Sequence, residues 1–281
     1  MASRAEQKAQ ARAQRVEFER KLAEEQRRKQ RLARLGGIGL IAVIVIVAAI
    51  VISSGNSTPK PVAPKSGASK TIVTRVSALL TGIAQPTNNT LGSPTAPVQI
   101  TEYGDLECSV CDAFALPTSA KTSAGSSGTG VADQIISQYV RTGKASFVYR
   151  SLDTATSGGA TPSMFSTQQA AALAAGVQGK GWDYIEIFYA EQQAEGTPYV
   201  TQAFLEGIAQ QIPGLNYSKW LSDLSSNSSL AAQVQSDGTA ASQAGYTVTP
   251  TIVVKGPKGQ APAIQSLPTF AQIQQAIKTV S

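Results

Sequence analysis

Apolar and polar positions fall into distinct regimes along the chain. In residues 1–34 the apolar positions Val16, Phe18 and Leu22 stand isolated among Ala, Glu, Gln, Lys and Arg, with no Gly or Pro. That composition favours helix, and Glu17/Lys21, Glu24/Arg28 and Glu25/Lys29 are i,i+4 pairs in the favoured order. The stripe is too thin to pack, so a solvated helix is expected, with a partner-binding or coiled-coil role as the alternative. Gly37–Ile52 is then wholly apolar or Gly, inside a charge-free run from Leu35 to Pro59. Twenty residues at about 1.5 Å each reach about 30 Å, the thickness of a bilayer core. Residues 55–71 are rich in Ser, Pro, Gly and Lys and read as an extended linker. Thr74–Ile83 reads as a short helix or strand.

Ala96–Tyr103 alternates and reads as a strand. Cys111–Leu116 reads as the first turns of a helix. Gly125–Gly130 reads as a flexible loop and Val131–Val140 as an amphipathic helix ended by Gly143. Ala145–Arg150 reads as a second strand. These make a βαβ unit, whose crossover is expected to be right-handed. Residues 163–244 carry almost no strand signal. Their helical spacing is broken at Gly179–Gly181, Gly196–Pro198 and Pro213–Gly214, which predicts four or five helices. Thr251–Val254, a turn at Gly256–Gly259 and Ala261–Gln265 predict a β-hairpin, and Phe270–Val280 a closing helix.

Charge sharpens the division. Residues 1–34 hold eleven Lys/Arg against five Glu, net +6, equal to the +6 of the whole 281-residue chain. From Leu91 onward nine Lys/Arg face thirteen Asp/Glu. The basic character therefore belongs to a tail and a linker, which argues against a nucleic-acid-binding fold. Arg27, Arg28, Lys29, Arg31 and Arg34 lead into the apolar run, so the positive-inside rule puts the N-terminus in the cytoplasm. A cleaved signal peptide is the alternative, but its n-region would be long and no clear cleavage motif follows. The expected organisation is a basic helical tail (1–34), a transmembrane signal anchor (35–54), a linker (55–90) and an extracytoplasmic domain (91–281) with a helical insertion at about 160–244.

Histidine is absent. That excludes a Ser-His-Asp triad, a Cys-His pair and an H-E-x-x-H zinc site. The Gly/Ser run does not match a P-loop. What remains is Cys108 and Cys111, the chain's two cysteines, at the strand-to-helix junction. A C-x-x-C pair there is the arrangement of a redox dithiol. Cys108 would sit at the helix N-terminus, where unpaired N–H groups favour the thiolate. Cys111, about one turn inside, would resolve a mixed disulfide. A structural zinc site would need more ligands than two cysteines provide. A structural staple would close too small a loop to stabilise much. Two inert cysteines at this spacing are the third alternative.

The order βαβ, helical block, hairpin, helix resembles the thioredoxin superfamily, and within it the bacterial, membrane-anchored, DsbA-like disulfide oxidoreductases. The resemblance covers roughly residues 91–279. It rests on Cys108-Ser109-Val110-Cys111, on Asp105 in the aromatic-x-Asp-x-x-Cys lead-in, on Glu102 and on Val248-Thr249-Pro250-Thr251. It implies an α/β, thioredoxin-like fold with an all-helical insertion, preceded by one transmembrane helix. It implies a cis-proline loop at Thr249-Pro250 that faces the dithiol and binds peptide. It also implies that Glu102 is a buried acid taking the proton of Cys111. Alternation alone leaves Glu102 equally readable as an outward-facing strand residue. The sequence departs from the family at Ser109, where proline is usual, and at Val110, where strong oxidants carry histidine. Asp105, Glu107 and Asp112 would then surround Cys108 with negative charge and raise its pKa. The expectation is a less oxidising thiol–disulfide oxidoreductase, most simply one that introduces disulfides into exported cysteine-containing proteins. It would need no metal or cofactor and be re-oxidised by a quinone-linked membrane partner of the DsbB or vitamin-K-epoxide-reductase kind. A reductase or isomerase on the same fold, and a tethered peptide-binding module with an idle dithiol, are the alternatives.

Overall fold

Strand β2 (Val98–Gly104) is buried at every position except Gln99 and, in part, Tyr103. Burial on both faces is what a strand in the middle of a helix-covered sheet requires. The computed structural model describes residues 69–281 and places β2 between β3 (Ala145–Ser151), parallel to it, and β4 (Thr251–Gly256), antiparallel. β1 (Thr90–Leu91) adds to the far side of β3. β5 (Gly259–Gln260) and β6 (Ile264–Gln265) both pair with β4, completing a six-stranded sheet. The register sets Glu102 between Tyr149 and Ile252. The predicted hairpin is present, but its return strand is split. Pro262, which has no N–H to give a ladder, lies in the gap between β5 and β6.

The helices follow the sequence pattern closely. α1 spans Ser69–Leu80, α2 Ser109–Ala115 and α3 Val131–Ile135. The helix predicted over 131–140 continues past Ile135 as a wider π turn, Ile136–Val140, closed by Arg141 N–H on the Ile136 carbonyl at 2.8 Å. After β3 come a short α4 (Ala155–Gly158), a single tight turn at Pro162–Met164, and five longer helices: α5 (Phe165–Gly176), α6 (Gly181–Glu191), α7 (Gln202–Gln211), α8 (Tyr217–Ser226) and α9 (Ser228–Gln243). The three predicted breaks fall between these helices. α10 (Phe270–Val280) begins at a full capping box made by Thr269 and Gln272.

α6 is buried from Gly181 through Tyr189 and packs on α1, α2, α5 and α7, so it runs through the middle of the helical layer. The Trp182 ring lies 4.5 Å from Phe147 of the sheet, centroid to centroid, and its indole N–H donates to the Asn89 carbonyl. An apolar body with one satisfied polar end is how a tryptophan is buried without penalty.

Two expectations change. The folded part includes residues 69–90, not only those from Leu91 onward. Val76 and Leu80 of α1 are in the core, with Ile72, Val73 and Leu79 packed against it, and Arg75 reaches Glu186 of α6. Residues 69–90 are thus not linker; the stripe at 72, 73, 76, 79 and 80 has helical spacing. The Gly/Ser run at 125–130 is not a loose loop. Its backbone is pinned to the C-terminal end of α2, where Thr129 N–H donates to Ala113 O and Gly130 N–H to Leu116 O, both otherwise unpaired carbonyls. A Cβ at Gly128 would stand 2.2 Å from the Leu116 carbonyl oxygen, so only glycine allows this approach.

The basic tail, the expected anchor at 35–54 and the linker up to residue 68 lie outside the described residues. Among the described residues no helix is long and apolar enough to cross a membrane.

Candidate active site

The site is assembled where β2 ends. Gly104 is followed by Asp105, whose carboxylate is surrounded by donors. It accepts from the N–H groups of Glu107, Thr154 and Thr156 at 3.1, 3.0 and 2.9 Å and from the Thr156 hydroxyl at 2.6 Å. These bonds tie the β2–α2 turn to the chain leaving β3. The turn delivers Cys108 as the N-cap of α2, in extended geometry (φ −74°, ψ 120°), with its carbonyl accepting from Cys111 and Asp112. Cys111 sits on the first turn of α2.

Both cysteines are thiols here, and both are nearly enclosed: Cys108 is 5% exposed and Cys111 0%. The Cys108 thiol lies 3.5 Å from the Thr249 carbonyl oxygen. Thr249-Pro250 is a cis peptide bond, and Thr251 of the same loop enters β4. Glu102 of β2 is 2% exposed, so the outward-facing alternative is excluded. The structure therefore gathers Cys108, Cys111, Glu102, Thr249 and Pro250 at one end of the sheet.

The environment pulls the two thiols apart. Cys108 is pushed down, first by the hydrogen bond from the Cys111 thiol, then by Thr249 and the backbone N–H groups of Cys111 and Val110, against the cost of burial. Cys111 is pushed well up, by burial first and then by the Cys108 bond and the negative charges of Cys108 and Glu102. Glu102 is also pushed well up, by burial, then by Glu186 and Cys108, while the Tyr189 hydroxyl works the other way. Its Oε1 has no hydrogen-bond partner among the described residues. A proton can thus be held on Cys111 or Glu102 while Cys108 carries the charge.

The opposition expected from the acids around Cys108 is weaker than their number suggests. Asp105 is turned to the donors named above. Glu107 faces Gln168 and Thr161, and Asp112 accepts from Ser123 N–H at 2.7 Å. Position in sequence says that these carboxylates are near the sulfur, but the backbone decides where each one points.

Four residues were not singled out from the sequence. Gly104 has no Cβ, and one built there would stand 2.6 Å from Tyr149 Cε2, 3.0 Å from the Tyr189 hydroxyl and 3.1 Å from Glu102 Oε1. The glycine thus leaves the gap in which Tyr149, Tyr189 and Glu102 meet. Glu186, one turn before Tyr189 on α6, is fully buried and pushed up to about 7 by desolvation, opposed by Arg75 at 3.2 Å. Only Gly104 had a readable signal, its place between Tyr103 and Asp105; the others lie more than 40 positions from the dithiol or on another element.

Among the described residues no group of Cys, Asp and Glu is arranged to hold a metal ion. The thioredoxin family model matches residues 84–279. No curated protein matches the chain. Oxidised BdbD from Bacillus subtilis superposes with a TM-score of 0.54 at 19% identity, covering 70% of this chain and 95% of its own. DsbA from Chlamydia trachomatis gives a TM-score of 0.51 at 23% identity, over 68% and 89%. alpha-DsbA1 from Wolbachia pipientis gives 0.51 at 15% identity, over 69% and 91%. At these identities the likeness is one of fold.

Proposed function

The chain belongs to the thioredoxin family, as a thiol–disulfide oxidoreductase of DsbA-like build, and from that premise we propose that it introduces disulfides into exported cysteine-containing proteins. The observation that carries this reading is the opposed pull on the two thiols. A downward pull on Cys108 stabilises its thiolate, and the more the reduced form is stabilised the more oxidising the dithiol becomes.

The cycle balances as follows. A substrate thiolate attacks Cys108 Sγ of the Cys108–Cys111 disulfide. The S–S bond breaks, a substrate–Cys108 disulfide forms, and Cys111 leaves as thiolate and takes the proton held by Glu102. A second substrate thiolate then attacks the substrate sulfur, and Cys108 leaves as thiolate. The oxidised substrate departs, and the enzyme holds two more electrons. In the reducing direction Glu102 accepts the Cys111 proton and Cys111 displaces the captured substrate. The Thr249 carbonyl beside Cys108, with Val110 and Val248 exposed nearby, suits an extended, partly apolar peptide.

The same reading places the catalytic unit outside the cytoplasm, tethered by residues 35–54. It is supported by the length of that apolar run and by the basic cluster before it. Re-oxidation would then fall to a quinone-linked membrane partner of the DsbB or vitamin-K-epoxide-reductase kind. The test is the Cys111→Ser variant. An oxidase leaves Cys108 joined to exported proteins in stable mixed disulfides, and a module with an idle dithiol traps none. Redox titration against glutathione separates the directions: a potential near that of thioredoxin, about −270 mV, would make the protein a reductase.

A further inference from the structure

The segment between α6 and α7 carries Glu195 to the start of α2. Its Oε2 accepts from Ser109 N–H at 2.9 Å and from the Ser109 hydroxyl at 2.7 Å. Ser109 is the first residue of α2, so its N–H is one of the groups that a helix leaves unpaired at this end. It is also the position where the family resemblance expects proline, which offers neither of these donors. Ser109 N is joined to Cys108 Sγ through four bonds, about 5 Å at full stretch, so the carboxylate oxygen lies within about 8 Å of the sulfur.

We propose that Glu195 is a positioning residue that sets the thiol–thiolate balance of Cys108: its carboxylate, held on Ser109, adds negative charge beside the sulfur and occupies a helix N–H that would otherwise favour the thiolate. The inference rests on the oxidoreductase reading and adds the element that moderates its oxidising strength. The other titratable groups around Cys108 are Cys111 and Asp112 on α2, Glu102 on β2, Asp105 and Glu107 in the turn, and Tyr189 on α6. Asp105, Glu107 and Asp112 are engaged by donors on other segments, as described above. Glu195 instead accepts two hydrogen bonds from Ser109, the residue next to the sulfur. Its negative charge also helps, after burial, to push up the carboxyl of Asp112.

A unit charge at about 8 Å, with an effective dielectric between that of water and about 20, moves a neighbouring pKa by about half a unit to one and a half units. Glu195→Gln keeps an acceptor for Ser109 and removes the charge. Glu195→Ala removes both and frees the Ser109 N–H. In the full chain, the pH dependence of Cys108 alkylation should shift down by about half a unit to one and a half units in Glu195→Gln, and at least as far in Glu195→Ala. The glutathione equilibrium should move severalfold toward the protein dithiol in the same variants. Glu195 is exposed, so both variants are expected to fold. An unchanged or raised Cys108 pKa in both, with only the thermal midpoint lowered, would make Glu195 a helix cap and overturn the proposal. Failure of the parent chain to exchange disulfides with glutathione would instead overturn the oxidoreductase reading, and the alkylation titration would still decide the role of Glu195.

Discussion

Gly104→Ala adds one methyl group at the point where the sheet, α6 and the buried acid meet. The nearest obstacle is an edge of the Tyr149 ring, 2.6 Å from the new Cβ, and that ring is itself buried. Ordinary carbon–carbon contacts lie at about 3.5–4.0 Å, so the ring must move by about 1 Å or the strand must bend. Overpacking of this kind costs about 1–3 kcal/mol. Gly104 does not have a positive φ, so no backbone strain is added, and alanine gains about 0.4–1 kcal/mol by restricting the unfolded chain. The net loss should be about 1–2 kcal/mol, or about 2–8 °C of thermal midpoint for a folded unit of this size. The displaced rings also carry the Tyr189 hydroxyl away from Glu102, so release of Cys111 with its proton should slow. Thermal unfolding and the rate of single-turnover exchange with a cysteine peptide measure the two effects. Tyr189→Phe is the control, because it removes the hydroxyl without filling the gap. Parental stability together with parental exchange in Gly104→Ala would refute the picture of a gap kept open for Glu102 and its tyrosines.

Other outcomes follow from the same geometry. Glu102→Gln should be more stable than the parent, by an amount that grows as pH rises from about 4.5. A carboxyl whose folded pKa is raised ionises first in the unfolded state, so the parent loses stability over the window that the variant does not titrate in. The same variant should exchange disulfides more slowly, and a pH-independent stability difference would be contrary evidence. Arg75→Met should destabilise by about 1–3 kcal/mol, less than a fully buried pair because Arg75 is partly exposed. The loss should widen above about pH 7, where the parent ionises Glu186 beside the guanidinium and the variant does not; chemical denaturation at pH 6 and pH 8 reads this. Gly128→Ala should cost more than Gly104→Ala, since its Cβ would meet a backbone carbonyl at 2.2 Å instead of a side chain. Equal midpoints for the two alanine variants would count against that reasoning.

Period was the legible part of this fold. Alternation over Ala96–Tyr103 marked β2 as a strand without assigning its faces, both of which are buried, and the glycines and prolines at 179–181, 196–198 and 213–214 marked the breaks between helices α5 to α8. The dithiol was legible because C-x-x-C couples a spacing to a junction. Charge was less legible. Glu102, alternating with Thr101 and Tyr103, had no face that pattern alone could assign, and its burial comes from helices far along the chain. The direction in which Asp105, Glu107 and Asp112 point depends on Thr154, Thr156, Gln168 and Ser123, none of which adjoins them in sequence. Glu195 was invisible for the same reason: 86 positions separate it from the serine it holds. That residues 69–90 belong to the folded unit was missed because α1 is short and follows a Pro/Gly/Ser stretch in the sequence, although its apolar spacing is regular.

That helix precedes residues 84–279, the stretch the family model matches, yet it supplies the guanidinium beside Glu186 and two side chains of the core. A fragment trimmed to the matched stretch would leave a desolvated carboxylate without its counter-ion and open apolar surface to water. The smallest excised version that keeps the interior intact must therefore begin no later than Ser69, and the electrostatics of the redox centre reach upstream of the domain that family resemblance alone would cut out.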